Sequence, residues 1–186
     1  IIAAIVAVVV LKGKDDTSDS KSDKNEKEAV ETVDSGYEGQ INAFIEGMND
    51  STKMEEFVSK NVDFRAIYAM ENMSQDVDEN DAAAVQEAFK KAYDEATPEK
   101  YEADDFKTEV NQLFQTLSYY KAMMGENASV SAENIGEASD YTEMALFKQV
   151  PFKLVLKSEE NSQDMDFIAI FYNDKFVIAT PSEDEN

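Results

Sequence analysis

Residues 165–180 read MDFIAIFY, then Asn173-Asp174, then KFVIAT: two β-rich runs parted by two residues. Asn and Asp tolerate the positive φ that a two-residue turn between twisted strands needs, so the segment reads as a tight hairpin. The turn sets a register. Tyr172 pairs with Lys175, Phe171 with Phe176, Ile170 with Val177, and Ala169 with Ile178. Side chains alternate between faces along a strand. One face therefore collects Phe171, Phe176, Ala169 and Ile178. The other collects Ile168, Ile170, Val177 and Ala179, with Tyr172 opposite Lys175. Both faces are apolar, and each needs cover.

The chain upstream supplies that cover. Phe152, Leu154 and Leu156 alternate with Lys153, Val155 and Lys157, the period of a strand with one buried face. The polar stretch Ser158 to Asp164 reads as the loop leading to the hairpin. Val130 to Ser139 reads as a first, irregular strand leading into Thr142 to Lys148. Before these come helical patterns. Tyr37, Ile41, Phe44, Ile45 and Met48 share one face. Thr52 and Glu55 form a capping box for a short helix with Phe57 and Val58. Asp63 caps a turn or helix carrying Ile67, Met70 and Met73. Val85, Ala88, Phe89, Ala92 and Tyr93 form a further stripe. Thr97-Pro98 is a helix start signal. The longest helix then runs from about Ala103 to Met124, with Phe106, Val110, Leu113, Phe114, Leu117 and Met124 on one face and Gly125 as its C-cap. The fold class is α+β, with N-terminal amphipathic helices packed on a C-terminal antiparallel sheet. The larger aromatic pair, Phe171 and Phe176, assigns its face to the helices, chiefly the Phe106-to-Met124 stripe. The second face, with Ile168, Ile170, Tyr172 and Val177, is then expected to be an interaction face for a protein partner or a second copy, extended by Val155 between Lys153 and Lys157.

Composition narrows the chemistry. The chain has 186 residues, 42% of them hydrophobic, and a net charge of -23 from 17 basic and 40 acidic residues. Such a surface repels nucleic acid, which excludes that class of partner. There is no Cys and no His, so thiolate zinc sites, Cys nucleophiles and the commonest general base are excluded. Residues 1–11 (IIAAIVAVVVL) contain no polar residue and read as the C-terminal part of a transmembrane helix or signal anchor, shorter than the roughly 20 residues a full span needs. Residues 12–29 form a polar, acidic linker that cannot bury enough to order itself. Residues 30–186 form the α+β domain. Lys12 and Lys14 favour the cytoplasm for that end of the helix, but a missing upstream flank could outvote them. A membrane helix, a tether and a small domain is a common cell-surface arrangement, so the domain is expected on the extracytoplasmic side of a single-pass chain.

Asp76, Asp78, Asn80 and Glu87 match positions one, three, five and twelve of a calcium loop. The sixth position is Asp81 where the sharp turn wants Gly, and no partner loop is visible. The competing reading is an acidic connector in which Asn80 or Asp81 caps the next helix; no metal site is committed. Tyr119, Tyr120, Tyr141 and Tyr172 are pocket candidates that more often belong to core or rim. Asn49, Asn72 and Asn127 each begin an N-glycosylation triplet, a short pattern frequent by chance.

Helices followed by strands that close on a hairpin whose last strand reads Lys175-Phe176-Val177-Ile178 resemble the nuclear-transport-factor-like, or cystatin-like, α+β superfamily. The resemblance covers about Ser35 to Thr180 and implies a curved antiparallel sheet wrapped around helices. The helical insert between Ser74 and Met124 is longer than in a minimal member. Helix, tether and acidic domain also look like bacterial membrane-anchored proteins of this superfamily, some of which carry a zinc ribbon upstream. Catalytic members use Asp, Tyr or His within the cone. Here only Asp166 is a candidate, at a strand start beside a polar loop. The expectation is a non-catalytic binding or interaction module without a cofactor. The alternatives are an architectural subunit assembling through its sheet, or a small-molecule isomerase- or dehydratase-like enzyme.

Overall fold

Helix α1, Tyr37–Asn49, buries Ile41, Phe44, Ile45 and Met48, the face set by their spacing. In the computed structural model the described residues are 36–74, 76–78, 81–123, 127–141, 144–159 and 161–182, with backbone alone at 117–120 and 122–123. Residues 1–11, the linker 12–29 and Gly125 lie outside them. Among the described residues no helix is long and apolar enough to cross a membrane. Helix α2, Ser51–Asn61, is capped by Asp50, whose Oδ1 accepts from the Thr52 N–H at 2.9 Å. The cap is therefore two residues earlier than the Thr52–Glu55 box: Asp50 already stands in extended backbone, and a carboxylate is a strong acceptor for first-turn donors. At Gly47 a Cβ would lie 2.9 Å from the Met54 Cα, so the missing side chain lets α1 and α2 approach closely.

Asp63 caps α3, Phe64–Asn72, as its position predicts, with Oδ1 accepting from the Ala66 N–H. Asp81 caps α4, Ala82–Glu95, accepting from both Ala83 and Ala84. Thr97-Pro98 starts only a four-residue helix, α5, Pro98–Tyr101. The long helix α6, Asp104–Met123, follows, with Asp104 and Asp105 at the positive end of its dipole.

The sheet contains β1 (Ser129–Glu133), β2 (Ser139–Asp140), β3 (Lys148–Lys157), β4 (Ser162–Tyr172) and β5 (Lys175–Pro181), all antiparallel, in the order β1-β3-β4-β5, with β2 also on β3. β1 and β2 are two pieces of one edge, divided by residues 134–138. Pro151 explains the gap. In a strand a residue's N–H and C=O point to the same side. The Pro151 C=O accepts from Gly136 N–H at 2.8 Å, so the side facing that edge is where proline has no N–H to give. The loop passes so close that a Cβ on Gly136 would meet the Pro151 ring at 2.8 Å. Two boundaries differ from expectation. Residues 144–147 form a turn rather than strand, with Phe147 N–H on the Met144 carbonyl at 2.9 Å and Tyr141 N–H on the Phe147 carbonyl at 2.9 Å. β4 starts at Ser162, inside the expected polar loop, because Asp164 and Asp166 lie opposite β3 where both reach Lys153, at 2.6 and 3.7 Å. Polar residues paired across strands extend a sheet as readily as apolar ones where one face meets water.

The hairpin turns at Asn173 and Asp174, with φ of 48° and 60°. Tyr172 faces Lys175 and Phe171 faces Phe176 as expected. The register then shifts by one, so that Ile170 faces Ile178 and Ala169 faces Ala179, leaving Val177 as the extra residue. The reason lies in α1 and in the start of α3. Phe176 N–H donates to the Gln40 Oε1 at 3.1 Å, and its carbonyl accepts from Asp63 N–H at 2.9 Å. Both backbone groups of Phe176 are thus engaged outside the β4 ladder, and the strand absorbs one residue before pairing resumes. One face of the sheet packs on helices through Phe176, whose ring lies 5.3 Å from Phe44, 5.1 Å from Phe57 and 6.0 Å from Phe114. The helix-side face is covered by α1 and α2 as well as α6, more broadly than the Phe106-to-Met124 stripe alone.

Candidate functional site

The outer face of the sheet has two unlike halves. Near the hairpin it is apolar and covered. The Tyr172 ring lies 5.1 Å from Phe89, 5.0 Å from Tyr93 and 5.1 Å from Phe147, so α4 and the turn before β3 sit over this end. Ile170 and Val177 are 3% and 1% exposed, while Ile168 and Tyr172 are half-buried. The four residues read as one contact surface are therefore split: two belong to the interior, and Tyr172 is part of an aromatic cluster. Two physical causes act: the bulge sets Ile178 rather than Val177 opposite Ile170, which takes Val177 out of the expected set, and the helical insert supplies Phe89 and Tyr93 as a lid beside Tyr172. Val155, read as an extension of the surface, is also buried. Away from the hairpin the outer face carries Lys153 with Asp164 and Asp166, and Lys157 3.6 Å from Glu133. Asp166 stands there, exposed and paired with Lys153, on the face turned away from the helices. That position leaves its carboxylate in contact with water.

The hairpin tip is held from α1. Gln40 is 6% exposed and uses both ends of its amide, Oε1 on the Phe176 N–H and Nε2 donating to the Asp174 carbonyl at 2.8 Å. One turn earlier, Tyr37 Oη donates to Asp174 Oδ1 at 2.5 Å. That carboxylate, and burial after it, push the Tyr37 hydroxyl up to about 12 from 10.0. The folded value lies above the unfolded one, so the contribution is complete below pH 10 and is lost as pH rises through about 12. In Tyr37→Phe the absorbance titration at 295 nm should lose its highest-pH step, and the denaturation midpoint should fall less between these pH values than in the wild type. Loss of a step near pH 10 instead, with the highest-pH step intact, would show that Tyr37 does not hold the turn.

The far edge is treated in the same way. Asn49 Oδ1 accepts from Val130 N–H at 3.1 Å, and its Nδ2 donates to the Val130 carbonyl at 2.8 Å. A side-chain amide thus stands where another strand would pair, which blunts the edge. The first glycosylation triplet starts at this committed Asn49.

The described calcium-loop residues, Asp76, Asp78 and Glu87, form no metal-holding group. Asp76 and Asp78 lie in the connector after α3, and exposed Glu87 is on α4; Asn80 falls outside the described residues. Asp76 N–H is 3.3 Å from the Ser74 hydroxyl. Asp81, not a ligand position, caps α4 and donates its N–H to the Asp78 carbonyl, the connector arrangement. Among the described residues no group of three or more acidic side chains is placed to hold a metal ion. The Tyr119 and Tyr120 side chains lie outside the described residues, and Tyr141 closes the turn before β3.

One arrangement has no counterpart in the motif reading. Arg65, the only arginine in the sequence, is half-buried at the start of α3. Its Nε donates to the Tyr93 carbonyl at 2.8 Å, and its Cζ lies 4.1 Å over the Tyr93 ring. The signal that could have found it is its rarity: a lone guanidinium in so acidic a chain. Compared with protein-family models, curated proteins and solved structures, the chain finds no match in any of the three.

Proposed function

We propose that the chain is a membrane-anchored, extracytoplasmic binding module without catalytic activity, of the nuclear-transport-factor-like class. The observation that carries this reading is the filled interior between helices and sheet. Phe44, Phe57, Phe114, Phe171 and Phe176 are each 2% exposed or less and stack against one another, in the place where a catalytic cone would hold substrate. The buried polar side chains Gln40 and Asp63 are committed to backbone groups, Gln40 to the hairpin and Asp63 to the α3 cap. Residues bound in that way are not available to move a proton. The antiparallel sheet with helices before it in sequence supports the class, and the apolar residues 1–11 support the anchor.

A protein partner or a second copy would meet the domain on the charged half of the outer face rather than along the sheet edges. Asn49 on β1, and Gln40 and Asp63 on β5, occupy backbone groups that edge pairing would need. Protease added to intact cells whose wall has been removed should release the domain from the tether 12–29. Protection until the membrane is lysed would reverse the orientation. A turnover found for the wild type and lost in Asp166→Asn would replace the binding module with an enzyme.

A further inference from the structure

Arg65 makes no ion pair, as several described lysines also do not, but it alone among the described cations has both a backbone acceptor and a ring face. Each ion pair among the described residues is made by a lysine: Lys53, Lys60, Lys148, Lys153 and Lys157. Arg65 makes none within 4.0 Å of a described carboxylate, in a chain of 40 acidic residues. Asp63, two residues before it, has Oδ1 committed to the Ala66 N–H at 2.9 Å. The guanidinium is nonetheless held firmly. The Nε bond to the Tyr93 carbonyl fixes one edge of its plane, and the Tyr93 ring at 4.1 Å fixes one face. The Tyr93 ring is itself held 5.0 Å from Tyr172 and 5.8 Å from Phe89. The two terminal nitrogens, Nη1 and Nη2, have no acceptor among the described residues, and the side chain is only half-buried, so water or a ligand reaches it.

Two parallel N–H groups on a planar cation match the two oxygens of a carboxylate. The stack and the Nε bond have already removed most of the side-chain freedom that binding would otherwise cost. We infer that Arg65, backed by Tyr93 and bordered by Tyr172, is a binding site for a small monocarboxylate. Charge selects the ligand. Among the described residues this guanidinium has no ion-pair partner, in a chain of net charge -23. A single negative charge is neutralised by it, whereas a phosphate dianion or an acidic peptide brings surplus charge into a repelling field. Arg65 sits at the second position of α3, where a cation is disfavoured by the helix dipole; an anion on the guanidinium offsets that placement.

This ligand class deepens the binding-module reading, and its failure leaves that reading standing, because the orientation and turnover assays do not involve Arg65. The test is an NMR titration of the 15N-labelled full chain in neutral detergent, at constant ionic strength. Sodium acetate is added, then sodium chloride and acetamide as controls, then a triglutamate peptide. Acetate should shift the Arg65 Nε–H and the Tyr93 and Tyr172 amides along a saturating curve. Chloride and neutral acetamide should give no saturating shift, and the peptide should bind more weakly than acetate. Arg65→Lys, which keeps the charge but not the planar fork, should weaken acetate binding by about tenfold or more. Equal curves for acetate and chloride, saturation by acetamide, or undiminished binding in a folded Arg65→Lys would each overturn the site. Tighter binding by the peptide would overturn the monocarboxylate assignment. The wild-type comparison of acetate with acetamide decides the matter even where Arg65→Lys does not fold.

Discussion

Ile170→Lys is expected to remove a large part of the domain's stability rather than to release a partner from it. Ile170 lies in β4 opposite Ile178 and is 3% exposed. Its face is closed at this end by α4, through the Phe89 and Tyr93 contacts to Tyr172. The substitution removes about 2 kcal/mol of apolar burial and places an ammonium where no described carboxylate is paired to receive it, for a total of roughly 4 kcal/mol or more. Domains of this kind have only about 5–15 kcal/mol in hand. Circular dichroism and urea unfolding read the outcome directly. Ile168→Lys is the control: its side chain is half-exposed, close to the charged half of the face, and an ammonium there can reach water. Its cost should stay near 1 kcal/mol, within the usual range for a surface substitution of this kind. A folded Ile170→Lys with the stability of the wild type would return this end of the face to the surface.

The same residue shows how far the sequence could be read. The hairpin, its turn at Asn173-Asp174 and the first two pairs follow from local chemistry, since turn geometry and β-propensity act over a few residues. The bulge does not. It depends on Gln40, Asp63 and Phe176 meeting, and Gln40 and Phe176 are 136 residues apart. A buried Gln on the core side of α1 carried no period or motif that would mark it as the partner of a distant strand. The cover over the outer face was hidden for a related reason. The α4 stripe was legible as amphipathic, but its pattern is silent on which sheet face it will cover, and the aromatic cluster needs Phe147 from a turn as well. Asp63 as a cap was readable because capping is local. The interruption between β1 and β2 becomes intelligible only once Pro151 is seen on the strand beside it. For the candidate site, motif spacing pointed to Asp76, Asp78, Asn80 and Glu87, a pattern local enough to occur by chance. Arg65 and Tyr93 stand 28 residues apart and match no motif, so their meeting is a property of the fold.

Phe176→Ala should be the most destabilising single truncation in the hairpin. Its ring is fully buried and lies 5.3 Å from Phe44, 5.1 Å from Phe57, 6.0 Å from Phe114 and 5.4 Å from Phe171. It thereby joins α1, α2 and α6 to the sheet from the strand side. Removing a buried Phe ring costs about 3–5 kcal/mol, the upper end applying where the surroundings cannot collapse. Collapse is hindered here because Phe176's backbone is pinned by Gln40 on one side and Asp63 on the other, so the strand cannot slide to fill the space. Urea midpoints measure the loss. Phe89→Ala offers the comparison: its ring is equally buried, but its described aromatic partners are Tyr93, Phe147 and Tyr172, and none of them lies on α1, α2 or α6. It should cost less, because half-buried Tyr93 and Tyr172 have room to move inward. A double-mutant cycle separates ring contact from cavity. Phe44→Leu combined with Phe176→Leu should show a coupling of about 0.5–1.5 kcal/mol, whereas Phe89→Leu with Phe176→Leu, which share no described contact, should be additive to within about 0.5 kcal/mol. Additivity in the first pair together with coupling in the second would mean that Phe176 faces α4 instead of the three helices, and the assignment of the two sheet faces would have to be exchanged.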